Sequence, residues 1–429
     1  MRQIYEKFKT LAFSGTAKDI YVLFVGNLGS AFWGFVFILI SARALSIEDF
    51  GVFSATLNFV IIITSLADIG ISTGSVNFIS EYISRGDNEK ANEYMKASFV
   101  VRTLIVLAIS LFVTLFSGLI SSKLLATNDP SMAVWAAAIA IFLFPIMFFP
   151  NILQAKRQFL NSAIMDNAFY LTRLIFAVIL YLVGALTITR AFWAFGIGFL
   201  SSLILTFLYM KFDFMRSKPS KNIYKSLLSF SGWIAVNRVV SSISGKLDIQ
   251  MLAAMSGAVA TGLYSIPSRL ASFIIVLAGS LSSVLATRLA SFGDKEKERE
   301  YLIKSTMALI PVSLGIVFWI LIGKPFVVTL FGEKYLSAVP IFQALAASMI
   351  PFLFTVPAVT AIIYSMKKTV YIGMLSFFQL AAIFLLNYYF IPMYGPIGPT
   401  ITLGITNILL AIYVWSIVIK YYWSKPVFN

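Results

Sequence analysis

The chain has 429 residues, 59% of them hydrophobic and 12% charged, with 33 Lys and Arg against 18 Asp and Glu. It contains no Cys and no His, which excludes disulfides, thiol nucleophiles, imidazole bases and the usual zinc sites. Soluble domains carry about 25% charged residues, so this composition defines an all-α polytopic membrane protein, and the excess of base is a question of topology before it is one of nucleic acid.

Apolar stretches of about 20 residues, each long enough to cross a hydrocarbon core of roughly 30 Å, predict twelve helices. They cover 19–42, 52–80, 97–120, 132–153, 162–184, 191–210, 227–250, 259–286, 305–323, 338–364, 369–391 and 396–419. The first apolar run follows a basic segment but is longer than the core of a signal peptide, and it reads as the first membrane span. The connections are short, so no soluble domain is expected between the spans. With the N-terminus inside, the inner segments hold 23 of the Lys and Arg, the outer loops hold 5, and 5 fall within helices. That asymmetry predicts a multi-pass protein of the cytoplasmic membrane with both termini cytoplasmic.

Two stretches occur twice. GDNEKANEY at 86–94 and GDKEKEREY at 293–301 share six of nine positions at an offset of 207 residues. Each reads as a helix stop at Gly followed by a new helix capped by Asp. SIEDFGVFS at 46–54 and GAVATGLYS at 257–265 both place Gly, an aliphatic residue, an aromatic residue and Ser at the start of a helix, with Gly51 and Gly262 offset by 211. Two matches in one order at nearly one offset imply an internal duplication. The expected organisation is an N-terminal six-helix lobe over 1–212 and a C-terminal six-helix lobe over 213–429, arranged as parallel repeats around a central cavity.

Ionisable residues at membrane depth are functional candidates. Arg173, Arg238 and Arg269 each lie about eleven residues into a predicted helix, or roughly 16 Å from its start, near the middle of the bilayer. Arg102 lies nearer the inner face and Lys246 nearer the outer one. The acids at this depth are Asp68 and Asp248. The plainest pairing sets Asp68 against one Arg and Lys246 against Asp248, with Arg102 reaching the interface. Three midplane arginines with one nearby acid then predict a water-filled cavity in which Arg173, Arg238 and Arg269 bind an anion, phosphate oxygens suiting the guanidinium fork. Asp68, Lys246, Asp248 and Arg102 are left as coupling or ion-pair residues. Pro145, Pro150, Pro267, Pro311, Pro351 and Pro357 interrupt the predicted helices and are candidate bending points. No G-x-x-x-x-G-K-[ST] run occurs, so ATP hydrolysis on this chain is not expected, and neither a cofactor nor a metal is.

LISARALSIEDFGVFSATLNF at 39–59 and SLADIGISTGSVNFISEYISRGDNEKA at 65–91 resemble the first two helices of Wzx-type polysaccharide flippases, members of the multidrug/oligosaccharidyl-lipid/polysaccharide exporter superfamily. LDIQMLAAMSGAVATGLYSIPSRL at 247–270, FGEKYLSAVPIFQALA at 331–346 and YGPIGPTITLGITN at 394–407 extend the resemblance over nearly the whole chain. It implies twelve to fourteen helices in two lobes around a V-shaped cavity, no enzymatic activity, and transfer of polyprenyl-pyrophosphate-linked oligosaccharide repeat units between leaflets for O-antigen, capsule or exopolysaccharide assembly. The implied partners are the lipid-linked substrate, membrane lipid and a polysaccharide polymerase, with no nucleic acid. Arg269 matches a cavity arginine of such relatives. A cation-coupled multidrug antiporter of the same fold, dependent on Asp68, is the alternative. A membrane glycosyltransferase or polymerase would usually carry a large loop with catalytic acids, which this chain lacks.

Overall fold

The computed structural model describes residues 15–423, with the side chains of 15–17, 20, 231–238 and 369 outside the described set. Sixteen α-helices account for nearly all of it: α1 Gly15–Ala44, α2 Ile47–Asp68, α3 Ile71–Ser84, α4 Asn88–Leu115, α5 Ser117–Leu124, α6 Ser131–Ala155, α7 Phe159–Leu182, α8 Ile188–Tyr209, α9 Lys221–Ser244, α10 Leu247–Leu289, α11 Lys295–Met307, α12 Leu309–Leu321, α13 Gly323–Phe331, α14 Val339–Thr360, α15 Thr369–Tyr394 and α16 Gly398–Trp423. Among the described residues, ten helical stretches are long and apolar enough to cross a membrane, and one of them, Val370–Trp423, contains both α15 and α16. With no strand among those residues, the spans are helical, the form in which a segment can satisfy its own backbone in hydrocarbon.

Several predicted spans are broken where local chemistry requires it. The span expected over 52–80 divides into α2 and α3 at Ile69 and Gly70, both at positive φ, and the Asp68 carboxylate accepts the Ser72 backbone N–H at 3.1 Å to start α3. The gap expected between 250 and 259 lies instead at 244–247, because α10 starts at Leu247 and runs on through Gly257, whose φ of 79° and ψ of −172° kink it. Pro311 falls in the first turn of α12, where its missing N–H costs nothing. The first repeated polar stretch behaves as its sequence implies. Gly86 takes a φ of 78°, Asp87 accepts from the Lys90 backbone N–H, and that bond holds its carboxyl below the usual carboxylate range. In the second, Asp294 caps α11 through the Glu296 N–H, but Gly293 is not left-handed, since α10 has already ended at Leu289.

The helices form two compact units. The first comprises 1–46, 59–121 and 128–239; the second comprises 47–58, 122–127 and 240–429. Small residues and amides set the packing within each, as they do wherever lipid removes the hydrophobic drive between helices. In the first unit Asn167 of α7 donates to the Gly26 carbonyl of α1 at 2.9 Å. In the second, Asn407 and Trp415 of α16 donate to the Ser348 and Phe354 carbonyls of α14 at 3.0 and 2.8 Å.

The tightest crossing in the second unit joins α2 to α10. A Cβ at Gly51 would lie 1.9 Å from the Ala258 carbonyl oxygen, and one at Gly262 would lie 2.2 Å from the Ile47 carbonyl oxygen. Ile47 and Ala258 are separated by 211 residues, as are Gly51 and Gly262. The crossing is therefore reciprocal: each copy's glycine faces the carbonyl one turn earlier in the other copy.

Candidate functional site

The charged residues at membrane depth have distinct surroundings. In the first unit, Arg102 of α4 is buried, and its Nη1 lies 3.5 Å from the Asp68 carboxylate and donates to Ser72 Oγ at 2.7 Å. Ser72 Oγ in turn donates to the same Asp68 oxygen at 2.6 Å. The expected acid–arginine pair at Asp68 thus forms, and Arg102 is its partner; Arg102 does not extend to the interface as its sequence position suggested, because its own acid lies beside it. The rings of Phe144 and Phe148 flank the guanidinium at 5.4 and 5.9 Å.

Arg173, also in the first unit, is enclosed by aromatic rings. Its guanidinium carbon lies 4.2 Å from the centroid of Phe37, 4.5 Å from Phe195, 5.0 Å from Tyr170 and 5.2 Å from Phe169. Phe169 and Tyr170 stand one turn before it on α7, and Phe37 and Phe195 come from α1 and α8. Only 6% of the residue is exposed. The ring faces supply the negative potential that a cation at this depth needs, so this arginine ties three helices together.

Arg269 is on α10 in the second unit, two residues after Pro267. It is half-buried, and among the described residues no carboxylate lies within ion-pair distance of it. Its positive charge acts on the Lys246 ammonium, which also feels Asp248. Lys246 and Asp248 form no ion pair, contrary to the expected pairing. Positions i and i+2 at a helix start do not face each other, and Asp248 is committed elsewhere: it is buried, accepting from Tyr264 Oη at 2.6 Å and from the Ile249 backbone N–H at 2.8 Å. The position of Lys246 is fixed from α2, because Asn58 donates to its carbonyl at 2.8 Å and to Gln250 Oε1 at 3.3 Å. Gln250 donates to the Leu124 carbonyl. The side chain of Arg238 lies outside the described residues.

The second unit therefore carries two cations, Lys246 and Arg269, that meet no carboxylate in an ion pair among the described residues, while Asp248 is satisfied by a tyrosine hydroxyl and a backbone amide. Lys246 and Arg269 lie on either side of the kink at Gly257, and nothing in the sequence spacing links them. Among the described residues no group of acids or other ligands could hold a metal ion.

This all-α, multi-pass architecture has the fold of the transporters of the MOP superfamily. It superposes on an inward-facing multidrug resistance MATE family transporter of that superfamily with a TM-score of 0.76, covering 90% of this chain and 93% of that one at 16% identity. It superposes on the lipid II flippase MurJ, in an inward closed conformation, with a TM-score of 0.75, covering 93% and 87% at 17% identity. Residues 16–292 match the polysaccharide biosynthesis protein family, and the chain belongs to that family. It is 24% identical over 282 residues to the uncharacterized membrane protein EpsK of Bacillus subtilis, covering 61% of this chain and 54% of that protein. It is 23% identical over 192 residues to a putative O-antigen transporter of Shigella flexneri, covering 44% and 46%. To the capsular polysaccharide biosynthesis protein CapF of Staphylococcus aureus it is 22% identical over 425 residues, covering 96% and 100%. The chain thus spans about half the length of the first two relatives and all of the third.

Proposed function

We propose that the protein is a flippase that carries polyprenyl-pyrophosphate-linked oligosaccharide repeat units across the cytoplasmic membrane by alternating access, for assembly of a surface polysaccharide. Family membership supports the polysaccharide setting, and the fold supports transport in place of catalysis. The observation that carries the reading is the cationic pair Lys246 and Arg269, which no acid among the described residues neutralises by direct contact. A pyrophosphate group offers several oxygens and at least two negative charges to such a pair, and guanidinium recognises it in bidentate geometry. The polyprenyl chain stays in lipid while the oligosaccharide crosses in a hydrated path, so no charge is transferred into hydrocarbon. In this reading the chain has twelve spans in two six-helix repeats with both termini cytoplasmic, and it works beside a polymerase that consumes the translocated units.

The expected anion site is reshaped by this proposal. Arg269 remains its centre, Lys246 joins it, and Arg173 is the packing member of the three arginines. The antiporter alternative relies on Asp68 as a free coupling acid, and the Arg102 contact at 3.5 Å weighs against that role.

Deleting the gene in its host should cause complete lipid-linked repeat units to accumulate and surface polymer to disappear, read by mass spectrometry of extracted lipids and by polysaccharide quantification. Restoring the gene as Arg269→Ala should leave protein abundance in the membrane near normal. Truncating one member of a charged recognition pair costs about 2–5 kcal/mol, so transport should fall at least about 30-fold. Unchanged lipid intermediates together with new sensitivity to cationic drugs would replace this reading with the antiporter.

A further inference from the structure

In the second unit, α15 and α16 form an antiparallel hairpin. A groove of about 280 Å³ lies between them, lined by Met374, Phe378 and Ala382 of α15 and Leu409, Leu410 and Tyr413 of α16, with Gln379 and Thr406 among the few polar contributors. Met374 and Phe378 are 65% and 62% exposed. From Met374 to Ala382 the groove follows α15 for about 12 Å. It begins roughly 9 Å, or six residues, along the helix from Lys368.

At that end of the hairpin the surface changes from hydrocarbon to cations laid on aromatic rings. The Lys295 ammonium sits 4.3 Å from the Tyr421 ring centroid. The Lys368 ammonium lies 5.9 Å from the same ring and 5.9 Å from Tyr371. Arg299 lies 5.8 Å from Trp423. These side chains come from α11, α15, α16 and the turn before α15. None of the lysines is in an ion pair among the described residues, and Arg299 has only an exposed contact to Glu296 at 3.9 Å. Cations over tyrosine and tryptophan at the end of a span mark the level of lipid headgroups.

We propose that this hairpin is the docking site of the lipid portion of the substrate: one polyprenyl chain lies in the groove between α15 and α16, and its pyrophosphate is held by Lys295, Lys368 and Arg299. The inference rests on the flippase reading above and adds where the lipid is first held. Three convergent cations match a multiply charged headgroup better than a singly charged phospholipid, and a single groove takes one chain where a diacyl lipid has two. The exposed Met374 and Phe378 leave the chain in contact with the bilayer while the head transfers to Arg269 and Lys246.

The test uses the purified full chain in lipid nanodiscs, with binding read by native mass spectrometry and by competition. The probes are a long-chain polyprenyl pyrophosphate, the uncharged polyprenol, inorganic pyrophosphate and phosphatidylglycerol. Ala382→Trp fills the groove from one of its lining positions. Lys295→Glu with Lys368→Glu reverses the headgroup site. Each variant should weaken polyprenyl pyrophosphate binding at least about tenfold. The polyprenol should lose affinity only in the groove variant and inorganic pyrophosphate only in the charge variant. Unaltered polyprenyl pyrophosphate affinity in Ala382→Trp, or equal competition by phosphatidylglycerol, would overturn the site and make the hairpin an ordinary phospholipid contact. The two readings fail separately. If deletion of the gene accumulates lipid-linked units while the groove variant binds and transports normally, only the docking site falls. If the wild-type chain binds the probe as described but deletion accumulates nothing, only the flippase reading falls.

Discussion

Asp68→Ala is expected to destabilise the protein by about 3–5 kcal/mol, the cost of leaving a buried arginine without its acid. The carboxylate neutralises Arg102, anchors Ser72 Oγ and accepts the Ser72 amide in the first turn of α3, so one substitution removes the charge balance and the cap at the kink between α2 and α3. Thermal unfolding of the detergent-solubilised protein would show the loss as a drop in midpoint. Pairing Asp68→Ala with Arg102→Leu should restore most of it, because the uncompensated charge is then gone. Transport separates the structural role from a coupling one. If transport returns with stability in the double variant, the acid serves the fold. If the double variant is stable and transport stays uncoupled from any ion gradient, Asp68 carries the ion after all, and the antiporter alternative gains what the Arg102 contact took from it.

Gly51→Ala and Gly262→Ala should each cost about 1–3 kcal/mol, because a methyl group would be driven into a backbone carbonyl at 1.9 or 2.2 Å and backbone cannot rotate aside as a side chain can. Gly279 is also in α10, but a Cβ there meets nothing within 4 Å. Gly279→Ala should therefore be neutral or gain up to about 1 kcal/mol in helix propensity. The two damaging substitutions press on one crossing, so their combined cost should be smaller than the sum; once α2 and α10 have been pushed apart for one methyl, the second finds room. Heat-challenge elution profiles of the four variants would measure this directly. Full additivity would show that Gly51 and Gly262 do not share a contact.

The all-helical, multi-pass class was legible because composition alone forces it: long apolar runs in a chain this poor in charge have few other folds. Their interruptions were less so. Gly70 and Gly257 each looked like ordinary glycines within apolar text, and only their positive φ separates a kinked helix from a straight one. The charged residues divided along a similar line. That Asp68 would find an arginine followed from the cost of leaving it alone, yet which arginine was chosen depends on how the end of α2 is set against α4, which spacing does not encode. Half of the cage around Arg173 was readable, since Phe169 and Tyr170 precede it by four and three residues on one helix face; Phe37 and Phe195 arrive from elsewhere in the chain. The Lys246 and Asp248 pairing could have been rejected on periodicity, because residues two apart on a helix point in different directions. What periodicity could not supply was the true partner of Asp248, a tyrosine sixteen residues on.

The crossing of α2 and α10 bears on how such a chain arose. Each copy of the motif offers a bare patch of backbone and receives the carbonyl that the other copy offers, so the contact is self-complementary in the way that the interface of a symmetric dimer is. A gene for one copy alone would encode a protein already able to pair with itself through this patch. Fusing two such genes would preserve the contact while freeing the halves to diverge.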